Sequence, residues 1–226
     1  MTLKKLLATT AAVALMATVA TGSAHAYSIS VTTANTGNVG FAALPSTVLT
    51  GGITANFTYT GPLNFLVGPP QNSTSAGDLN STFFSNGTIT NYTGSGTLLA
   101  PANANFSTLT TFLASSGSAS NFQYGSLYTI KLGTLAAGTV LSIQHDDGVS
   151  VFQGATMVGN TMSGPTTQTA DTVVVTNTGD TTLYYARENG APSVLSVAVP
   201  EPMSLAMLGS GLVGMGMIRR RKRAKA

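Results

Sequence analysis

Residues 139–160 read TVLSIQHDDGVSVFQGATMVGN, and the fold class turns on how that stretch is read. Through 139–145 apolar and polar residues alternate, Leu141 and Ile143 against Ser142 and Gln144, which is the period of a strand with one face buried. Asp147-Gly148 is a favoured dipeptide of a two-residue hairpin turn, and VSVFQ at 149–153 is rich in β-branched and aromatic residues. The stretch is therefore expected to form a β-hairpin, strand 139–145 returning as strand 149–153.

The same grammar runs through the rest of the chain. Further strands are expected at 28–33, 53–60, 63–67, 88–92, 126–132, 172–177, 181–187 and 193–197, separated by Gly61-Pro62, Asn86-Gly87, Gly179-Asp180 and Asn189-Gly190. Segment 106–113 reads as a short helix or another strand. The glycine- and serine-rich 114–120 reads as a long loop within one domain, with an interdomain linker as the alternative. No repeat of fixed period stands out, against a propeller or solenoid. The expected fold is all-β: an antiparallel β-sandwich or barrel of about ten strands over residues 27–198.

Composition supports this. Between 27 and 199 the only basic residues are Lys131 and Arg187, against Asp78, Asp146, Asp147, Asp171, Asp180 and Glu188. Helices place Lys, Glu and Arg on their wet faces; threonine-dominated wet faces suit strands. The overall charge of +3 belongs to the two ends, while the body is net −4. Phosphate-backbone binding needs clustered basic residues on the folded surface, so nucleic acid is excluded as a partner. With no cysteine there are no disulfides and no thiolate for zinc or for nucleophilic attack.

The ends read as address labels. Lys4 and Lys5, an apolar run at 6–20 and Ala24-His25-Ala26 fit a signal peptide over 1–26, with signal peptidase cutting before Tyr27. At the other end, 203–218 is an apolar span of about 24 Å as helix, close to the roughly 30 Å hydrocarbon core. Pro200, Glu201 and Pro202 precede it, and a basic end at 219–225 opens with Arg219, Arg220 and Arg221. That charge holds the tail on the cytoplasmic side with the body outside. Gly209, Gly211 and Gly214 spell G-x-G-x-x-G, but no strand and distant acid follow, so the dinucleotide reading fails. Proline, glutamate, proline, then a short span, then an arginine-rich end resembles the PEP-CTERM sorting signal of Gram-negative bacteria, covering 199–226. The resemblance implies processing by an exosortase, a membrane tether before processing, and delivery to the cell surface or an exopolysaccharide matrix. The plainer alternative is a permanent membrane anchor.

Catalytic chemistry finds little to stand on. A Ser–His–carboxylate arrangement would have only His145 as its base in the mature chain, with no G-x-S-x-G elbow. Zinc lacks its ligand spacing. The paired carboxylates of a glycosidase have no obvious candidates beyond Asp146 and Asp147. The chain is expected not to be an enzyme. Six Asn-x-Ser/Thr sequons, at Asn56, Asn72, Asn80, Asn86, Asn91 and Asn105, follow from a composition rich in both residues.

One constellation remains. A strand ending in Asp-Asp-Gly, the strand VSVF, then Gly154 and ATMV resembles the central motif of the protective-antigen-type, flocculin-like β domain. LYYARENGAPSVLSV at 183–197 resembles that module's final hairpin, so the likeness covers about 124–197. In lectins of that family the adjacent aspartates are joined by a cis peptide and share one calcium ion with sugar hydroxyls. The resemblance therefore implies Asp146 and Asp147 as calcium ligands and a polysaccharide as partner. It also implies an asparagine ligand on a later loop, for which Asn160, Asn177 and Asn189 are the candidates. The family's sugar-contacting aromatic has no tryptophan to match it here. Two readings stay open for the acids: a structural turn in a matrix-associated protein, or a calcium-dependent glycan site.

Overall fold

Burial with a period of two runs along the strands and assigns the layers. In the computed structural model, residues 25–37, 39–67, 79–98, 104–115, 124–159, 161–188 and 193–199 are described. Strand β1 (Ala26–Asn35) buries Tyr27, Ile29, Val31 and Thr33, leaving Ser28, Ser30 and Thr32 toward solvent. β2 (Ile53–Thr60) does the same with Ile53, Ala55, Phe57 and Tyr59. β3 (Asn64–Val67), helix α1 (Leu79–Phe83), β4 (Thr88–Ser95), β5 (Thr97–Leu98), β6 (Ala104–Asn105) and helix α2 (Leu109–Leu113) follow. The rest is β7 (Tyr124–Leu135), β8 (Val140–Asp146), β9 (Val149–Gln153), β10 (Thr156–Met157), β11 (Thr169–Val174), β12 (Gly179–Arg187) and β13 (Ser193–Ala198).

Seven strands form one sheet in the order β10-β9-β12-β7-β1-β2-β4, and four form another, β11-β8-β13-β3; β5 and β6 make a small ribbon. Every pairing is antiparallel. Neither sheet closes on itself, so the architecture is a sandwich and not a barrel. One apolar cluster draws side chains from both sheets, Ile29, Ile130 and Leu183 from the larger and Phe65, Leu141, Ile143 and Leu195 from the smaller. α1 fills the gap between them. Its Phe83 stacks 4.6 Å from Phe65 of the smaller sheet and 5.3 Å from Tyr128 of the larger, ring centre to ring centre.

Each of the ten expected strands is present, with shifted ends. The strand expected at 172–177 runs instead at 169–174, and beyond it Val175 still bonds the backbone of Gly138 and Thr139. Segment 106–113 resolves as helix α2. Thr108 caps it by accepting from the Thr111 amide at 3.2 Å, and Thr111 Oγ1 accepts from the Thr108 amide at 3.1 Å.

The expected hairpin at 139–153 is not one. β8 pairs with β11 and β13, β9 with β12 and β10, so the chain passes from the smaller sheet to the larger at Asp147-Gly148. A hairpin turn would pair its own flanking residues. Here Val149 N–H donates to Met162 O at 2.8 Å, and Gly148 O accepts from Ala186 N–H at 2.9 Å. The final pair, β12 and β13, likewise lie in different sheets. Both chain segments expected to be hairpins are crossings between layers, and they meet at the same end of the sandwich.

No helix among the described residues is long and apolar enough to cross a membrane. The span at 203–218, its flanking Pro200, Glu201, Pro202, Arg219, Arg220 and Arg221, and residues 1–24 of the signal peptide lie outside the described residues.

Candidate metal centre

The two crossings build the site. The bond between Asp146 and Asp147 is cis, as the resemblance implied. Asp146 is the last residue of β8, facing Val194 of β13; Asp147 and Gly148 carry the chain to β9. The second crossing starts at Arg187 and Glu188, and the Glu188 amide donates to Asp147 Oδ2 at 2.6 Å. The side chain of one crossing thus caps the main chain of the other. The Tyr185 hydroxyl, reaching across from β12, donates to the Asp146 carbonyl.

Two loops close over this end. Loop 161–168 lies against the turn: a Cβ on Gly148 would sit 2.1 Å from the Ser163 carbonyl oxygen, so only glycine fits. The Gln168 amide bonds the Asp146 carboxylate. Loop 39–50 covers the outer face of the larger sheet through Ala43 N–H to Ser163 O at 2.7 Å, and the Ser150 hydroxyl donates to Ala43 O. Phe41 N–H donates to Glu188 Oε1 at 2.8 Å. This cover accounts for the burial of Ser150 and Ala186, which lie on the face that a half-buried sheet would expose.

The electrostatics are those of crowded carboxylates. Asp146 and Asp147 are 7% and 4% exposed, and Glu188 is 4% exposed. Burial, then repulsion from Asp147, pushes the Asp146 carboxyl up to about 6, against the Gln168 amide and His145, which both lower it. Burial pushes Glu188 up to about 7; the Phe41 amide lowers it and the Asp147 charge raises it further. Glu188 Oε2 is buried with no hydrogen-bond partner. The nearby cation is Arg187, 1% exposed, whose Nε donates to Ser193 Oγ at 2.6 Å. Burial lowers its pKa, while the Tyr128, Tyr185 and Asp147 groups oppose that shift.

The donor set is hard: carboxylate and carbonyl oxygen, with no cysteine thiolate in the chain. Both nitrogens of His145 are already bonded, Nδ1 to the Asp147 carbonyl at 2.5 Å and Nε2 to Asp171 Oδ2 at 3.1 Å. That chemistry suits calcium or magnesium over zinc or copper. Among the described residues no group of three or more His, Cys, Asp or Glu side chains is arranged to hold a metal ion. The protein contribution therefore starts from the Asp146–Asp147 pair, with the unsatisfied Glu188 Oε2 on the other crossing. Other oxygens must come from main-chain carbonyls, amides, water or ligand.

Of the three asparagine candidates, Asn177 is placed away from the acids. It precedes β12, whereas Glu188 follows it, about 30 Å along the strand direction. There it lines a separate cleft of about 380 Å³ with Gln153, Thr156 and Asp180. Asn160 and Asn189 lie outside the described residues. Sequence reasoning missed Glu188, Tyr185 and Asp171 as neighbours of the pair, because each arrives from far along the chain, and it missed that His145, next to Asp146, bonds the Asp147 carbonyl. One signal was available for His145: it continues the inward series Leu141, Ile143, and a histidine in an aliphatic row needs partners.

No family model matches the chain, and no curated protein does. Among solved structures, it is similar to a PA14 sugar-binding domain from an RTX adhesin. Identity is 14%, over 77% of this chain and 89% of that one, with a TM-score of 0.44. It is also similar to the PA14 domain of the antifreeze protein MpAFP, at 14% identity over 76% and 80%, with a TM-score of 0.42.

Proposed function

We propose that the chain is an exported, non-enzymatic protein of the cell surface or exopolysaccharide matrix, whose sandwich binds glycan through calcium held at Asp146 and Asp147. The observation that carries this reading is the concentration of carboxylates where the two crossings meet. Asp146, Asp147 and Glu188 are buried together, Asp147 raises the other two, and one Glu188 oxygen has no partner. Like charges confined this way are relieved by a divalent cation. Asp146 and Asp147 would hold it, joined by Asn189, which lies outside the described residues. When bound, the ion supplies open coordination positions for vicinal hydroxyls of a sugar. The chain's own part is to keep the carboxylates in register through the Glu188 and Gln168 amides and the Tyr185 hydroxyl.

The ends supply the address. A signal peptide over 1–26 and a PEP-CTERM signal over 199–226 would export the body, tether it to the membrane and hand it to an exosortase. Mass spectrometry of the protein recovered from a Gram-negative host tests this; a mature C-terminus retaining Arg219, Arg220 and Arg221 supports a permanent anchor instead. The site is tested by calorimetric calcium titration of the full chain and of Asp146→Ala/Asp147→Ala, followed by a glycan array with and without chelator. Equal heats for the two proteins would sink the calcium reading and leave Asp-Asp-Gly as a structural corner.

A further inference from the structure

His145 occupies an inward position of β8, where Leu141 and Ile143 precede it, and like them it is fully buried. A leucine would fill that slot without needing partners. The histidine spends both ring nitrogens on acceptors, one within the Asp-Asp-Gly corner and one on the neighbouring strand. Nδ1 meets the carbonyl of Asp147, the peptide that follows the carboxylate pair. Nε2 meets Asp171 Oδ2, on the edge strand β11. Asp171 Oδ2 in turn accepts from the Met162 amide at 3.3 Å. Met162 opens the loop whose Ser163 packs on Gly148 and whose Gln168 amide bonds Asp146. The corner and the loop over it are thus tied through one imidazole and one carboxylate.

We propose that His145 and Asp171 are positioning residues of the cation site, fixing the Asp147 peptide and loop 161–168 relative to each other so that both aspartates meet one ion. The proposal rests on the calcium reading for its ligand, but its structural half stands without any metal. Residues that orient ligands of a metal, without touching it, contribute about 10–100-fold in affinity. A histidine that merely fills the core has a different signature, since its loss loosens the whole sandwich evenly.

The test uses the full chain with two readouts. Calcium titration should show Kd rising about 10–100-fold in His145→Leu and in Asp171→Ala. In His145→Asn, whose amide takes the place of Nδ1 and still donates to the Asp147 carbonyl but no longer reaches Asp171, Kd should rise by clearly less than in His145→Leu, by about tenfold or less. Amide hydrogen exchange, measured in chelator, should speed up by about tenfold or more at Glu188 and Gln168, whose amides hold the two aspartates, while the amides of β1 and β7 keep their rates. Exchange that rises evenly across β1, β7 and the corner, or a Kd unchanged within about twofold, overturns the proposal. If His145→Leu fails to fold, Asp171→Ala carries both measurements from the sheet edge. If wild type binds no calcium yet exchange still rises locally, the positioning role stands and the calcium reading falls.

Discussion

Replacing Glu188 by glutamine should make the cation-free protein more stable at pH 8. The Glu188 carboxyl is raised from 4.5 to about 7 by burial, and the neighbouring Asp147 charge adds to that. Such a group binds more protons folded than unfolded between those values, so stability falls as pH rises from about 4.5 to about 7 and stays low above. At about 1.36 kcal/mol per unit, the charged group costs at most about 3 kcal/mol at pH 8. Glutamine keeps the oxygen that accepts from Phe41 N–H and removes the charge, leaving a new buried N–H that offsets part of the gain. The net expectation is about 1–3 kcal/mol, or roughly 3–10 °C in Tm for a domain of this size. The assay is thermal denaturation in chelator from pH 4.5 to 8.5, followed by circular dichroism. The two proteins should match at the acid end and diverge through pH 5–7. A Glu188→Gln curve parallel to wild type, or lower at pH 8, refutes the picture of a buried, repelled carboxylate.

Other outcomes follow from the same packing. Calcium should remove most of the fall in Tm between pH 5 and 8, with a gain of about 2.7 kcal/mol at a hundredfold excess over Kd; a Tm indifferent to calcium at pH 8 contradicts the site. Gly148→Ala drives a methyl into the Ser163 carbonyl and should cost more than about 2 kcal/mol, visible as a lowered denaturant midpoint; a neutral result would show that loop 161–168 gives way freely. Phe83→Ala empties the seat between the sheets and should cost about 3–5 kcal/mol in equilibrium unfolding.

The strands were legible because their signal is local. Thr, Ser and Asn alternating with Ile, Val, Phe and Tyr mark β1 and β2 within their own residues. Partnership is not local, and there the sequence misled. Asp147-Gly148 favours a hairpin, yet Val149 and Gly148 take their bonds from Met162 and Ala186, and distant contacts outweigh a turn preference. Strands β5, β6 and β10, two residues each, are too short for a period to show. At the site, the aspartate pair could be read from its motif. Glu188 reaches Asp147 from 41 residues away and Asp171 reaches His145 from 26 away, distances over which spacing says nothing.

The place of β13 has a mechanical consequence. It is an interior strand, bonded to β8 along Val194–Ala198 and to β3 along Ser193–Ser196. A pull applied beyond Ala198, as on a protein tethered by that end, draws β13 along its own axis. Both flanking ladders are then loaded in shear, all their bonds at once, instead of unzipping one pair at a time. Pulled from that end in a force spectrometer, the sandwich should yield in one high-force rupture, the response of a strand built to hold.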